Sequence, residues 1–152
     1  MKAKVTFFDL ETTDGNPATA EVLTGFFRSL NIDFKDGTYD SVDQLFVTCK
    51  PIKYLPASAR IHGITRDQAD SFGDKRSGLR QICQFIKTHD DGLFCCHANA
   101  RIFGKHGHFD WTVIKNDLYN ISPEAYHWFC REFREAKVIS THTIAKKLLG
   151  ID

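Results

Sequence analysis

Val5-Thr6-Phe7-Phe8-Asp9-Leu10-Glu11-Thr12-Thr13 carries an apolar run into two carboxylates spaced two apart. Residues two apart on a strand point to one face, with Cα atoms roughly 6.5–7 Å from each other. Two acids on one face, at the end of a buried strand, repel unless a cation sits between them. The pattern therefore points first to a divalent metal site. A lone D-x-E is most simply a strand end whose acids reach water. The apolar run before it and Thr12-Thr13 after it favour a site.

Working outward, Lys4 to Leu10 reads as a buried strand and Asp14-Gly15-Asn16-Pro17 as a turn. Glu21 to Arg28 and Leu45 to Lys50 read as further strands, with Asn31 to Asp43 as a polar connection. Pro51 and Pro56 break regular structure. Thr65 to Ala69 suits a short helix capped by Thr65. Leu79, Ile82, Cys83 and Ile86 recur at helical spacing, which predicts an amphipathic helix over 77–89. Leu93 to Cys96 is a short buried strand, and 97–109 reads as a loop rich in Gly and His. Trp111, Ile114, Lys115 and Leu118 suit a helix, and Ser122-Pro123-Glu124 opens another. Val138 to Thr141 reads as a strand; Ile144, Leu148 and Leu149 mark a last helix, capped by Gly150. Three strands followed by helices alternating with strands predict an α/β fold with a mixed sheet, antiparallel first and parallel after.

No internal repeat or linker divides the chain, so residues 1–152 are expected to form one domain. A 42% apolar content suits a packed core rather than disorder, and most of the 13 Phe belong in it. The net charge of +1 supplies no overall basic field, so any nucleic-acid binding must be local. No stretch reaches the length of a membrane span, and the N-terminus lacks the apolar region of a signal peptide. The five cysteines are therefore expected as reduced thiols in a cytoplasmic compartment.

Two more stretches bear on chemistry. Phe109-Asp110-Trp111 sets a carboxylate just ahead of an apolar-periodic helix, where it serves either as an N-cap or as part of a site. Ile61-His62-Gly63-Ile64-Thr65 sets a His between apolar residues ahead of a turn. The plain reading is a loop His; the other is a wedge against a base or sugar.

Together these stretches resemble the DnaQ-like 3′–5′ exonucleases, the DEDD group with a ribonuclease H-like fold. The family's D-x-E-T-T stands as Asp9 to Thr13, and its I-H-G-I-T as Ile61 to Thr65. Its H-N-A-x-F-D motif is present but altered: His97-Ala98-Asn99-Ala100, several extra residues, then Phe109-Asp110. Val138 to Thr141 and Ile144 to Leu148 look like the family's later strand and helix.

The resemblance implies a two-metal 3′–5′ exonuclease acting on single-stranded 3′ ends of DNA or RNA. Two Mg²⁺ or Mn²⁺ ions about 3.5–4 Å apart would clamp the scissile phosphate. Asp9 would bridge both, Glu11 would ligate one, and Asp110 would complete the set. Backbone amides near Leu10 and Thr12–Thr13 would meet the terminal sugar. His62 and Ile64 would pack at the terminal base, and Asn99 would hydrogen-bond a phosphate. A polymerase or another replication or repair protein is the kind of partner such a domain implies.

The family's third motif carries a His and, five positions later, an Asp. It should follow the 138–149 region, and the chain stops at Asp152. His62 with Asp67, and His127 with Glu132, have related spacing but lie in the wrong part of the sequence. No general base is assigned. A C-terminally incomplete exonuclease is favoured over a short homologue, and this polypeptide alone is expected to be feeble or inactive. The other class of function is a non-catalytic module on the same fold, binding strand ends or a polymerase.

Cys95, Cys96, His97, His106 and His108 invite a zinc reading. Adjacent cysteines on a strand point to opposite faces, and zinc ligands usually come as pairs two to four apart, so zinc is disfavoured. Lys105, His106 and His108 are expected instead as a polar loop near the strand path, with binding tightened at low pH and low salt.

Overall fold

The computed structural model describes residues 1–102, 105–141 and 144, with side chains described for 1–97, 108–141 and 144. Three long strands come first: β1 (Lys2–Thr12), β2 (Val22–Asp33) and β3 (Thr38–Thr48). Short helices α1 (Ala59–His62) and α2 (Arg66–Asp70) lead to α3 (Lys75–Thr88). Next come β4 (Leu93–Cys96), β5 (Ala98–Ile102) and β6 (Lys105–His108). Helices α4 (Phe109–Ile121) and α5 (Pro123–Glu132), a 3₁₀ turn at Glu135–Lys137, and β7 (Val138–Ser140) complete the described order.

The main sheet has the order β3-β2-β1-β4-β7. Pairings β1–β2 and β2–β3 are antiparallel, whereas β1–β4 and β4–β7 are parallel. This is the expected mixed sheet. Two segments differ from the sequence reading. The polar stretch 31–43 is not a connection: β2 and β3 run through it and turn at Gly37, whose φ is 68°. Much of β3 is solvent-exposed, so the alternation that marks a half-buried strand is missing there. The expected loop at 97–109 holds the antiparallel pair β5–β6 and the start of α4. The expected last helix after Ile144 and its Gly150 cap lie outside the described residues.

One sheet face builds the core. Phe8 stacks on its register partner Phe27 with ring centroids 5.1 Å apart. Trp111 of α4 meets Phe8, Phe94 and Phe129 at 5.0–6.3 Å. Leu79, Ile82 and Ile86 of α3 fill the same cluster. α3 begins at an Asp74 cap, whose carboxylate accepts from the Ser77 N–H. It packs closely against the end of β3, because Gly78 leaves room for Cys49; a Cβ there would collide with the Cys49 sulfur. Ser122 caps α5 as expected, with Pro123 in its first turn. Among the described residues no helix is long and apolar enough to cross a membrane.

Candidate active site

A cleft of about 510 Å³ opens beside the C-terminal ends of β1 and β4. Asp9, Glu11 and Asp110 all line it, so the three carboxylates separated by up to a hundred residues in sequence are brought together. Phe8 and Leu10 turn into the helix-covered core, leaving Asp9 exposed and Glu11 half-buried on the other side of β1. The β1–β2 register shifts between Glu11 and Thr12, so the strand pairing is irregular just where the acids meet the cleft. Asp110 is the second residue of α4, held down by its neighbour Trp111 in the core, and is only 3% exposed.

Asp110 is the electrostatic centre of this cleft. Burial, then Asp9, then Glu11 push its carboxyl up to about 8. Its Oδ2 is buried with no hydrogen-bond partner among the described residues. Asp14 also lines the cleft, but its oxygens are used: Oδ1 accepts from the Asn16 N–H and Oδ2 from the Thr19 hydroxyl at 2.8 Å. Among the described residues the lining contains four acids and no Lys or Arg. Oxygen donors of this type suit a hard divalent cation, and the orphaned Asp110 oxygen is the kind of atom such an ion would satisfy. Among the described residues, no three His, Cys, Asp or Glu side chains stand closely enough to hold one ion as they are. The donor set thus fits in chemistry and charge without forming a closed cage.

The I-H-G-I-T stretch builds the opposite wall. Gly63 has φ 74°, a left-handed conformation that ends α1 and that a side chain would strain. His62 Nδ1 accepts from the Ile64 N–H at 3.0 Å. In the neutral ring the proton therefore sits on Nε2, which has no partner among the described residues. Ile61, 89% exposed, lines the cleft beside His62. Ile64 does not: its carbonyl accepts from Tyr54 at 2.7 Å and it helps anchor the turn. Thr65 caps α2 in a reciprocal capping box with Gln68, as its position suggested.

Leu10 and Thr12 border the cleft, but Thr13 stands apart. Thr13 is buried; its hydroxyl accepts from the Glu21 N–H at 2.9 Å and its carbonyl accepts from the Ser58 hydroxyl. The second threonine of D-L-E-T-T thus ties β1 to the approach to β2 and to the start of α1. Asn99 lies outside the described side chains, as do Lys105 and His106. His108 is partly buried, and that burial pushes its imidazole down, away from the protonated form expected to hold phosphates. Cys95 and Cys96 are both buried, and burial pushes the Cys95 thiol up to about 11.

Sequence reasoning gave no role to several cleft residues. Ser58, His97 and Phe109 line it, alongside Ile61, the apolar flank of His62 in the wedge reading. His97 and Phe109 are themselves positions of the altered H-N-A-x-F-D motif, so that signal reached them; Ser58 sits in an irregular, Pro-rich stretch with none. Also unforeseen is a buried ionic cluster behind the cleft. Lys75 Nζ donates to Glu21 Oε1 and to Asp117 Oδ1, the latter at 2.8 Å. Glu21 also accepts from the Ile52 and Lys53 N–H groups at 2.8 and 2.7 Å, and Asp117 from the Val22 N–H at 2.8 Å. One lysine thereby joins α3, α4, the start of β2 and the segment leading to α1.

No family model and no curated protein matches the chain by sequence. Solved structures do match. Product-bound exonuclease I superposes with a TM-score of 0.67 at 19% identity, over 98% of this chain and 32% of that one. E. coli exonuclease I in complex with a dT13 oligonucleotide gives 0.67 at 19%, over 97% and 30%. A moderately thermophilic exonuclease I from Methylocaldum szegediense gives 0.65 at 16%, over 95% and 29%. The chain spans about a third of the length of these relatives. Its structural neighbours are exonuclease I, and its mixed sheet with flanking helices is the ribonuclease H-like fold of that enzyme.

Proposed function

We propose that this domain is a metal-dependent 3′–5′ exonuclease that removes nucleotides from single-stranded ends of DNA or RNA. One observation carries the reading: a cleft lined, among the described residues, by Asp9, Glu11, Asp14 and Asp110 and by no Lys or Arg, around a buried carboxylate oxygen with no partner among them. Such a cleft repels a phosphate backbone unless divalent cations enter with it. A pure binding module gains nothing from that arrangement.

Asp9, Glu11 and Asp110 would hold the ions, Mg²⁺ or Mn²⁺. Bound there, a pair of ions supplies charge neutralisation at the scissile phosphate and a water of lowered pKa. The chain's own residues do the positioning. Asp110, whose carboxyl burial and the neighbouring acids raise to about 8, would have to give up its proton to serve as a ligand, at near-neutral pH. His62 stands in the cleft wall with its Nε2–H buried and unpartnered among the described residues, so it would donate to a sugar or phosphate oxygen only once the wall opens to it, and Ile61 offers an apolar surface to the terminal base. The backbone around Leu10 and Thr12 approaches the terminal sugar. Weak sequence preference follows, since apolar contact accepts every base.

A His62 whose Nδ1 already accepts a backbone N–H is a donor and not the base that activates water. Turnover by this chain is therefore expected to be slow, by ~10²–10⁴-fold, relative to a site with a positioned base. The test is a 5′-labelled single strand, DNA and RNA in parallel, incubated with excess protein and Mn²⁺ or Mg²⁺. The expected result is slow stepwise shortening from the 3′ end. It stops with a chelator and falls at least ~100-fold in Asp9→Ala. Shortening indifferent to Asp9 would refute the proposal. So would strand binding that tightens in Asp9→Ala while no variant cleaves, the behaviour of a binding module.

A further inference from the structure

At the far end of α4 from Asp110, a second groove of about 430 Å³ runs between α3, α4 and α5. Eleven helical residues separate Asp110 from Ile121, or ~17 Å along the axis, so this groove is remote from the carboxylate cleft. Leu79, Leu118, Ile121 and Trp128 give it an apolar floor. Ile121 and Trp128 are only partly covered although they pack on the core. One rim is a stripe of cations on a single face of α3: Arg76, Arg80 and Lys87, all exposed. Among the described residues, none of the three has an ion-pair partner and no acidic side chain lines the groove. The whole chain carries a net charge of only +1, so this local excess is a feature of the groove and not of the surface at large.

We propose that this groove docks an amphipathic helix of a partner protein, apolar on one face and acidic along the adjoining edge. The apolar face would seat on Leu118, Ile121 and Trp128, and the acids would meet the α3 stripe. Charge complementarity selects this occupant. A second copy of the chain in a two-fold dimer would bring basic stripes together across a shared patch, which is repulsive. A nucleic-acid strand would find cations but, among the described residues, only one ring, Trp128, whereas strand binding relies on successive rings for successive bases. This inference does not depend on the nuclease reading.

The stripe from Arg76 to Lys87 extends ~17 Å, so a fluorescein-labelled probe helix of ~14 residues spans it. The probe has Leu at helical spacing on one face and Glu beside it. Its controls are a scrambled isomer and a version with Lys for Glu. Fluorescence anisotropy with the full chain should show saturable binding of the acidic probe alone. Arg76→Glu with Arg80→Glu should weaken it about tenfold or more, and added salt should weaken it too. Both arginines are exposed, so the double variant should keep the thermal midpoint of the wild type. Four outcomes overturn the proposal: no saturable binding at millimolar probe; equal binding of either control; displacement of the probe by oligo(dT); or dimerisation of the chain that the same substitutions abolish.

Discussion

Replacing Lys75 with Ala should destabilise the protein by about 3–5 kcal/mol, the usual cost of removing one partner from a buried ion pair. Lys75, Glu21 and Asp117 are 7%, 5% and 0% exposed, so neither carboxylate can turn to water when the ammonium is lost. Burial already raises the Asp117 carboxyl despite the attraction of Lys75. A carboxyl whose folded pKa lies above its unfolded one gives stability at low pH and loses it as pH rises through the folded value. The deficit of Lys75→Ala should therefore be small in acid and largest at alkaline pH. Urea denaturation reads it directly, and a thermal midpoint lower by about 10 °C or more is the matching change. Combining Lys75→Met with Glu21→Gln and Asp117→Asn should recover most of the loss, because no buried charge is then stranded. A loss below about 1 kcal/mol for Lys75→Ala would show that the cluster is solvated in solution. The cluster also holds the backbone that frames the cleft. Glu21 binds the Ile52 and Lys53 amides through its side chain and the Thr13 N–H through its carbonyl, so loosening it should also relax the wall that carries His62.

Asp110→Asn should stabilise the metal-free protein at alkaline pH. In the folded state the Asp110 carboxyl sits at about 8, far above its ordinary 3.8. Its neutral form is favoured by folding, so the wild type loses stability as pH rises from about 4 through about 8. Asn does not ionise, and its profile should be flat over that window. At pH 9 the variant should exceed the wild type by roughly 1–3 kcal/mol, or several degrees in thermal midpoint, with the two converging near pH 4. Divalent metal should reverse the order. Mn²⁺ should raise the wild-type midpoint at pH 8 through mass action and leave Asp110→Asn almost unmoved. Parallel pH profiles for the two proteins would mean that Asp110 titrates as an ordinary exposed acid.

The candidate site was largely legible because its signals are local. Asp9 and Glu11 follow an apolar run with period-2 spacing, and Asp110 precedes an apolar-periodic helix; both patterns survive in a single sequence. The mixed character of the sheet, antiparallel first and parallel after, was legible for the same reason, but its strand order was not. Strand signals failed at 31–43, where solvent on most of β3 erases the alternation, and at 98–108, where Gly and His hide a two-stranded pair. The four-residue α1 is too short to show a period. Thr13 and Ile64 illustrate a different failure. Each sits inside a motif, yet its partners, Glu21 with Ser58 and Tyr54, belong to other segments, so the motif alone could not tell cleft from scaffold. Lys75 lies 54 residues from Glu21 and 42 from Asp117, a contact made only by the tertiary fold.

The claim that Asp9, Glu11 and Asp110 together form a divalent-cation site is tested most directly by titrating Mn²⁺ into the metal-free protein, its Asp9→Ala variant and its Asp110→Asn variant. Electron paramagnetic resonance counts free Mn²⁺, and calorimetry in buffers of different ionisation heat counts protons. The expected result is saturable binding to the wild type near pH 7, with release of most of one proton from Asp110 and an affinity at least tenfold weaker in each variant. Equal Mn²⁺ affinity in all three proteins, with no proton released, would contradict it.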